Sequence, residues 1–229
     1  MDNHRQEPSR ENSRFQPVKV WDLPTRLFHW VLVALVAGSF ITGNIGGNLM
    51  PYHKWFGYGI LTLILFRVVW GFVGGSQSRF AAFLHGPGTV VSYAIQLIKG
   101  TSKPFLGHNP LGGWSIVAML LVLLIQVGTG LFANDDILFE GPLYPLVSKD
   151  ASDWLTGVHR VNRIVLAVLL SIHLFAVFYH LVFKKENLLK PMITGIKHWQ
   201  GQADASTGNL RLAIIIAVLS AAVVFLIIS

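Results

Sequence analysis

Five long apolar segments constrain the fold of this chain more than any other feature of its sequence. Polar breaks that contain Gly, Pro, Asn and Asp separate them, as turns require. A helix needs roughly 20 predominantly apolar residues to cross a bilayer, and each segment is about that long or longer. We therefore predict an all-α membrane protein in which a four-helix transmembrane bundle is followed by a fifth, C-terminal transmembrane helix. The predicted spans cover residues 27–46, 54–74, 113–133, 155–183 and 210–228.

The composition agrees with a single membrane domain and narrows the metal chemistry. Charged residues make up 13% of the chain, against about 25% in a typical soluble domain. The chain has no cysteine, which excludes disulfides, thiolate-ligated iron–sulfur clusters and covalent haem attachment through a C-x-x-C-H motif. Nine histidines and four methionines remain, so any transition metal or haem iron has to be held mainly by imidazole.

The distribution of lysine and arginine predicts which ends of the spans face the cytoplasm. Twelve basic residues lie in the N-terminal segment and in the loops after the second and fourth spans. Lys149 alone lies on the other side, together with five carboxylates. Short cytoplasmic loops hold the positive excess in membrane proteins, so we predict a cytoplasmic N-terminus and a C-terminus on the outer side. This topology accounts for the net charge of +7, and we therefore predict no nucleic-acid partner.

The polar and apolar segments together predict three regions along the chain. Residues 1–19 indicate a disordered cytoplasmic tail, residues 20–200 the four-helix domain, and residues 201–229 a linker and the fifth transmembrane helix. Residues 87–99 predict a short helix at the cytoplasmic membrane surface. Tryptophans near the ends of spans are expected in the headgroup zone: they are Trp30, Trp55, Trp70, Trp114 and Trp154.

Four histidines within or at the ends of the spans carry the strongest chemical signal: His29, His53, His159 and His173. Polar side chains are costly inside a membrane and are usually functional there. His159 and His173 are fourteen residues apart, just under four helical turns, so they lie on one face with about 21 Å between them along the axis. These two imidazoles cannot share one metal, but each can serve a separate one.

The antiparallel neighbours of the fourth span supply a second imidazole at each level. His53 begins the second span at the outer depth of His159, and His29 lies at the cytoplasmic end of the first span. By depth, both His173 and His180 match His29. The pattern predicts two bis-histidine haems, a ligation that leaves no open axial position and favours electron transfer over catalysis. The remaining histidines lie in polar segments and are interpreted as surface residues: His4, His85, His108 and His198.

The same fourteen-residue spacing predicts further cofactor-binding residues. Gly43 follows His29 by fourteen residues and is expected to face the outer haem, where glycine permits close approach of a flat macrocycle. Arg67 follows His53 by fourteen residues and is expected to face the inner haem, where a propionate would neutralise its buried charge. Arg163 and Gly57 are also predicted to contact cofactor. Small-residue helix packing explains three of the glycines equally well: Gly57, Gly128 and Gly130.

Several motifs match one known family. R-L-F-H-W at the start of the first span contains His29, and His53 begins the second span. R-V-V-W-G-F-V-G starts at Arg67, and G-H-N-P-L-G-G-W covers residues 107–114. The His159–His173 pair is followed by F-Y-H. With these features, residues 18–199 resemble the bacterial cytochrome b561 family and the related b-type cytochrome subunit of nickel–iron hydrogenases.

The resemblance implies a haem-binding four-helix bundle with two non-covalent b haems, ligated by His29 with His173 and by His53 with His159. It therefore favours His173 over His180, which it leaves near the inner haem edge or at a quinone site. It also implies a location in the bacterial inner membrane, so that the outer side predicted above for the C-terminus is the periplasm. Electrons would pass between the quinone pool and a periplasmic c-type cytochrome or redox enzyme. The fifth span departs from the four-helix pattern and suggests a stabilising or partner-contact role.

Several functions share this chemistry. We predict a membrane electron carrier; the alternatives are a haem-containing anchor subunit of a hydrogenase or reductase, and a superoxide:quinone oxidoreductase. The acidic outer loop either steers a basic redox partner or simply follows from the topology. A metal or proton transporter would instead place carboxylates beside the intramembrane histidines, and the sequence has none inside the spans. A homodimer is compatible with each of these functions.

Overall fold

Five long apolar helices dominate the structure, a computed structural model that describes residues 15–137, 139–200, 203 and 205–229. Helices α1, α2, α5, α6 and α8 are each long and apolar enough to cross a membrane, which confirms the predicted fold class. In chain order the elements are β1 (Phe15–Lys19), α1 (Leu23–Ile45), α2 (Met50–Val73), α3 (Phe80–Phe83), α4 (Pro87–Ile98), α5 (Pro110–Gly130), α6 (Lys149–Val182), α7 (Leu189–Thr194), β2 (Ile196–Gln200) and α8 (Leu210–Ile228).

Helices α1, α5 and α6 begin earlier than the predicted spans do, because polar residues cap them. Asp22 accepts a hydrogen bond of 2.9 Å from the amide of Thr25 at the start of α1. Asn109 does the same for Gly112 at 2.8 Å, directly before Pro110 opens α5. Side-chain oxygens at this position satisfy amides that have no partner within the helix, and proline fits the first turn. A hydropathy profile does not reveal these first helical turns, because they contain polar residues.

The helices run antiparallel, and neighbours in the chain pack against each other. Helix α1 packs on α2, α5 packs on α6, and α2 contacts α5 and α8. Apolar residues from all of these helices form the core: Val36, Ile60, Leu61, Ile64, Leu123, Val127, Leu166 and Val224. The outward faces carry large exposed apolar side chains, as lipid-facing surfaces do: Ile41, Phe72, Ile164, Phe175 and Leu226.

The fifth span, α8, packs against α2 and changes the expected environment of Trp70. Trp70 is 0% exposed, although the sequence places it near a span end with the headgroup-level tryptophans. Its ring stacks on Phe66 at 5.7 Å, and Ala213 and Ile216 of α8 complete the cluster. The backbone of Gly208 lies directly against the ring. The prediction for Trp70 is therefore wrong, because a helix far along the chain encloses it.

Part of the expected disordered tail is a β-strand. Phe15–Lys19 pairs antiparallel with Ile196–Gln200, with Phe15 opposite Gln200 and Lys19 opposite Ile196. The pairing continues into a hydrogen bond of 2.8 Å from the Val20 amide to the Gly195 carbonyl. The prediction for residues 1–19 is therefore wrong for the last five, because their partner strand lies far along the chain. Residues 1–14 lie outside the described residues.

The short helix predicted over residues 87–99 is confirmed as α4, Pro87–Ile98. Tyr93 is buried on its inner face, while Val91, Ile95 and Ile98 are exposed. The helix packs against α5. Its place at a membrane surface remains a prediction.

Candidate functional site

Four histidines on the long helices fall into two pairs, one towards each end of the bundle. The ring centroids of His53 and His159 are 6.2 Å apart, with the ring planes at 83°. His29 and His173 lie close enough to interact electrostatically. The His53 site comprises His53, His159, Ser39, Gln126 and Thr129. The His29 site comprises His29, His173, Arg67 and His108.

Backbone carbonyls fix the orientation of both imidazoles in the His53 site. The Nδ1 atom of His53 is 2.9 Å from the carbonyl of Ser39 on α1. The Nδ1 atom of His159 is 2.9 Å from the carbonyl of Gln126 on α5. A carbonyl oxygen can only accept a hydrogen bond, so Nδ1 carries the proton in both rings and Nε2 keeps its lone pair. This is the tautomer in which imidazole binds a metal through Nε2.

Two amide side chains that sequence reasoning missed also belong to this region. The Nε2 amide of Gln126 donates to Nε2 of His159 at 3.0 Å. The Oε1 oxygen of Gln126 accepts from Asn162, at 2.7 Å. Asn162 is buried and also donates to the Val122 carbonyl at 2.9 Å. Their polarity within otherwise apolar spans is the signal that could have found them.

The glycines predicted near this cofactor differ in what surrounds them. A Cβ on Gly43 would lie 2.8 Å from the His53 ring, and one on Gly130 would lie 3.1 Å from the His159 ring. Nothing lies within 4 Å of the equivalent position on Gly57. Gly43 and Gly130 therefore give room to the imidazoles themselves. Arg163 extends from α6 to α1, where its guanidinium donates to Asn44 at 2.8 Å.

The His29 site contains buried polar atoms without partners. Nδ1 of His29, Nη1 of Arg67 and Nδ1 of His108 are each enclosed and have no hydrogen-bond partner within the described part of the chain. Arg67 is 3% exposed, and its guanidinium lies 5.1 Å from the centre of the Phe80 ring. Buried polar groups are normally paired, so this concentration of unpaired nitrogens marks the site.

The carboxylate that acts on Arg67 is already bound by other donors. Asp22 interacts with Arg67 electrostatically. Its Oδ2 atom accepts from the Gly75 amide at 3.0 Å and from the Ser78 hydroxyl at 3.2 Å. Its Oδ1 atom accepts from the Thr25 amide, as the cap of α1. Asp22 therefore offsets part of the charge of Arg67 without satisfying its buried Nη1.

His108 corrects the interpretation of the loop histidines as surface residues. Its ring lies 4.5 Å from the ring of Trp21 and 5.0 Å from that of Phe83. Burial, followed by the charges of Arg67, His173 and His29, lowers the pKa of His108 to about 3, so its imidazole is neutral at physiological pH. The loop before α5 folds over the bundle end, which its polar sequence does not reveal. The position of His108 in the G-H-N-P-L-G-G-W motif is the signal that could have found it.

The other loop and tail histidines differ from His108. His198 lies on β2 and is exposed, and His85 is partly exposed. His4 lies outside the described residues. The surface interpretation is therefore confirmed for His198.

His180 lies in a separate polar network at the same end of the bundle. Its Nδ1 atom is 3.0 Å from Oε2 of Glu186, and Oε1 of Glu186 accepts from Lys197 at 2.7 Å. Lys197 also donates to the Phe105 carbonyl at 2.6 Å. The hydrogen bond from His180, followed by those from Lys197, lowers the pKa of Glu186 to about 2 against the opposing effect of burial. This network ties the end of α6 to β2.

Comparison with known proteins gives a consistent set of matches. Residues 20–195 match the family described as prokaryotic cytochrome b561, a range that includes α1 to α6 and ends before α8. An Azotobacter vinelandii protein named "Probable Ni/Fe-hydrogenase B-type cytochrome subunit" is 26% identical over 215 residues, covering 78% of this chain and 87% of the relative. A Rhizobium leguminosarum bv. viciae protein of the same name is 24% identical, covering 82% and 92%.

A third relative has a similar name. The Escherichia coli K12 protein named "Probable Ni/Fe-hydrogenase 1 B-type cytochrome subunit" is 21% identical, covering 78% of this chain and 89% of the relative. No solved structure matches the chain.

Proposed function

Because the chain belongs to the prokaryotic cytochrome b561 family of membrane electron-transport proteins, we propose that it is a dihaem electron-transfer protein of the bacterial inner membrane. His53 and His159 ligate one b haem, and His29 and His173 ligate the other. Electrons pass between the quinone pool and a redox partner on the periplasmic side. The family implies haem b. We propose in addition that there are two haems and that these pairs of histidines hold them.

The observation that carries the proposal is the geometry of the His53 site. A first-row metal binds imidazole nitrogen at about 2.0 Å, so the centroids of two rings on one iron lie roughly 6 Å apart. The centroids of His53 and His159 are 6.2 Å apart. Both rings also donate Nδ1–H to a backbone carbonyl, which leaves the Nε2 lone pairs for a metal. For His159, ligation requires the Gln126 amide to release that lone pair.

The His29 site supports a second haem on different grounds. His29 of α1 and His173 of α6 interact across the bundle. The His180 ring is held by Glu186 instead, which favours His173 as the ligand. A buried guanidinium with a free Nη1 suits a carboxylate, and haem b has two carboxylate side chains. The histidines and Arg67 therefore fit the group that the family requires.

The bound haems would supply one-electron redox chemistry, and the chain determines how it is used. A haem held by two imidazoles would have no open position for a further ligand, so these residues would favour electron transfer over ligand binding. The apolar core between the sites excludes water: Ile60, Ile64, Leu123 and Leu166 lie there. The rise along α6 separates the histidine levels by about 21 Å, so the pair of sites conducts along most of the bilayer thickness.

The loop between α5 and α6 provides an acidic surface for a partner. Lys149 pairs with Asp136 at 2.5 Å and with Asp153 at 2.6 Å. Further carboxylates are Asp135 and Glu140 in the loop and Asp150 in the first turn of α6. Under the predicted orientation this surface is periplasmic. A negative surface attracts and orients a basic partner, such as a c-type cytochrome.

A second candidate function has specific support from the relatives. The similar proteins are named as b-type cytochrome subunits of Ni/Fe-hydrogenases, so the partner of this chain is alternatively a hydrogenase or another membrane-attached enzyme. The haem chemistry would be the same, and electrons would enter from a bound subunit instead of a diffusing protein. Co-purification from native membranes separates the two, because a stable complex retains the enzyme and a diffusing partner is lost.

Haem quantitation on purified protein tests the proposal. We expect two protohaems per chain in the parent protein, and one in His159→Ala or His173→Ala. His85→Ala is the matched control, because it removes a histidine outside both sites and should retain two. A parent protein with fewer than two haems would contradict the dihaem proposal. Retention of two haems in His173→Ala, with one lost in His180→Ala, would contradict the ligand assignment.

A further inference from the structure

We propose that His108 is a positioning residue for the haem at the His29 site, and that its ring N–H binds a propionate carboxylate of that haem together with Arg67. The proposal rests on the function proposed above and adds a residue from outside the membrane-spanning helices. It gives the loop over residues 100–109 a part in setting the redox properties of the site.

The convergence of unpaired nitrogens is the first argument. His108 interacts electrostatically with Arg67, His173 and His29, which come from α2, α6 and α1. Nδ1 of His108 and Nη1 of Arg67 are both enclosed, and neither has a hydrogen-bond partner in the described ranges. Leaving such atoms unpaired is costly. Two donors from different elements that face the same region indicate a ligand with acceptor oxygens.

The charge of the site selects a carboxylate as that ligand. Arg67 is 3% exposed, and Asp22 has its two oxygens occupied by Thr25, Gly75 and Ser78. An anion with two oxygens can satisfy a guanidinium and accept a further hydrogen bond from imidazole. A haem ligated by His29 brings such carboxylates with it, so one molecule satisfies both the iron ligands and the unpaired donors.

The surroundings of His108 hold its ring in place. The ring is flanked by Trp21 at 4.5 Å and Phe83 at 5.0 Å, and the Phe83 ring also lies 5.9 Å from the Arg67 guanidinium. Asn109, the next residue, caps α5. The Gly113 backbone packs against the Phe83 carbonyl, where a Cβ has no space. A side chain fixed in this way can hold a precise hydrogen bond at low entropic cost.

The competing assignment makes His108 an iron ligand in place of His173. His173 lies within α6, fourteen residues from His159, and interacts electrostatically with His29. His108 lies on the loop at the bundle end, beside the guanidinium that attracts carboxylates. These positions favour His173 as the ligand and His108 as the hydrogen-bond donor.

Redox titration of His108→Ala, His108→Gln and the control His85→Ala tests the proposal. The parent for the titrations is His53→Ala, so that the remaining haem is the one at the His29 site. In His108→Ala we expect the haem to be retained and its reduced-to-oxidised ratio at a fixed potential to fall by up to roughly tenfold, equivalent to about 59 mV for one electron. Loss of a donor to the propionate makes the site more negative and so favours the oxidised iron.

Two further readouts separate this role from a purely structural one. The pH dependence of the midpoint potential should move to higher pH in His108→Ala, because a propionate without its donor is protonated more easily. His108→Gln retains an N–H donor and should restore much of the parent potential. His85→Ala should match the parent in both readouts.

Four outcomes would overturn the inference. They are an unchanged potential in His108→Ala, an equal shift in His85→Ala, a His108→Gln protein that titrates like His108→Ala, and loss of the haem from both His108 variants while His173→Ala keeps it. If His108→Ala fails to fold, His108→Leu takes its place, because leucine fills part of the same space without an N–H donor and should show the same shift in potential. A native chain that binds no haem would instead refute the proposed function itself.

Discussion

The two histidine sites of this bundle each bring two imidazoles together, but different parts of the chain hold those imidazoles in place. In the His53 site, the imidazoles of His53 and His159 donate to the carbonyls of Ser39 and Gln126, on the adjacent helices α1 and α5. In the His29 site, Nδ1 of His29 is buried without a partner in the described part of the chain. Transmembrane helices orient the two rings of the His53 site. In the His29 site, we expect a loop and the proposed haem to orient the rings.

Because of this difference, we expect the two sites to respond unequally to substitutions that change helix spacing or charge. A site built from backbone carbonyls is set once its helices pack, so it responds to changes in helix spacing. A site with a buried cation and unpaired nitrogens depends on an anion, so it responds to changes in charge. Variants that alter spacing or charge should therefore each affect one site and leave the other almost intact.

Among the substitutions proposed here, we expect Arg67→Met to cause the largest difference in haem affinity between the two sites. The thioether side chain keeps the packing against Phe80 and removes the charge. A hydrogen bond to a charged group contributes about 1.5–3 kcal/mol, so we expect haem affinity at the His29 site to fall roughly 10- to 100-fold. Haem titration of the apoprotein, with the two sites resolved spectroscopically, measures this change.

Arg79→Met is the matched control, because Arg79 is an exposed arginine in the following loop. It should leave both affinities unchanged. Equal losses at the two sites in Arg67→Met would indicate a general folding defect and would break the proposed division between the sites.

Gly43→Ala should affect only the His53 site, with a somewhat smaller magnitude. Its Cβ would lie 2.8 Å from the His53 ring, and overpacking costs about 1–3 kcal/mol, reduced here because the ring can shift. We expect haem affinity at this site to fall roughly tenfold, with a change in the low-spin spectrum. Gly88→Ala is the control, because Gly88 lies on α4 outside both sites and nothing lies within 4 Å of its added methyl group. An equal effect of both variants would contradict the role of close packing at Gly43.

Gln126→Leu should strengthen haem binding at the His53 site. The Gln126 amide donates to Nε2 of His159 at 3.0 Å, and this bond has to break before that nitrogen can ligate iron. A net hydrogen bond contributes about 1 kcal/mol, so we expect affinity to rise a few-fold, as measured by haem titration. Gln126→Asn, which keeps an amide at this position, serves as the comparison. Weaker binding in Gln126→Leu would show that the amide supports the bound haem.

The sequence predicts the spans and the approach of His53 to His159 because both depend on local periodicity. Hydropathy locates each long helix, and the spacing of His159 and His173 places them on one face of α6. The opposition of His53 and His159 follows from antiparallel neighbours of known length. The caps at Asp22 and Asn109 lie outside this signal, since polar residues begin the helices before the apolar segments start.

The residues that sequence reasoning missed depend on contacts between distant segments. His108 stands in a polar loop, and its burial results from packing against Trp21 and Phe83. Trp70 is enclosed by α8, and Phe15–Lys19 forms a strand because Ile196–Gln200 returns beside it. A local sequence pattern carries no information on pairings between such distant segments.

Glu186→Gln should have the smallest effect, confined to the end of the bundle that holds the His29 site. The hydrogen bond from His180, with those from Lys197, lowers the pKa of Glu186 from 4.5 to about 2. A carboxyl whose pKa is depressed on folding stabilises the fold above its unfolded pKa and loses that contribution as the pH falls towards the folded value. The native chain should therefore lose stability between about pH 4.5 and about pH 2, and Glu186→Gln should not show this loss.

Thermal unfolding in detergent measures this difference, and 1 kcal/mol corresponds to roughly 2–4 °C in a chain of this size. We expect Glu186→Gln to unfold a few degrees below the native chain at pH 7 and to converge with it at low pH. Glu140→Gln alters an exposed carboxylate at the opposite end and should follow the native curve throughout. Since Lys197 and His180 hold the end of α6 against β2 and Phe105, Glu186→Gln should also loosen the haem of the His29 site before that of the His53 site. Simultaneous release of both haems would mean that the two ends of the bundle unfold as one unit, whatever their differences in construction.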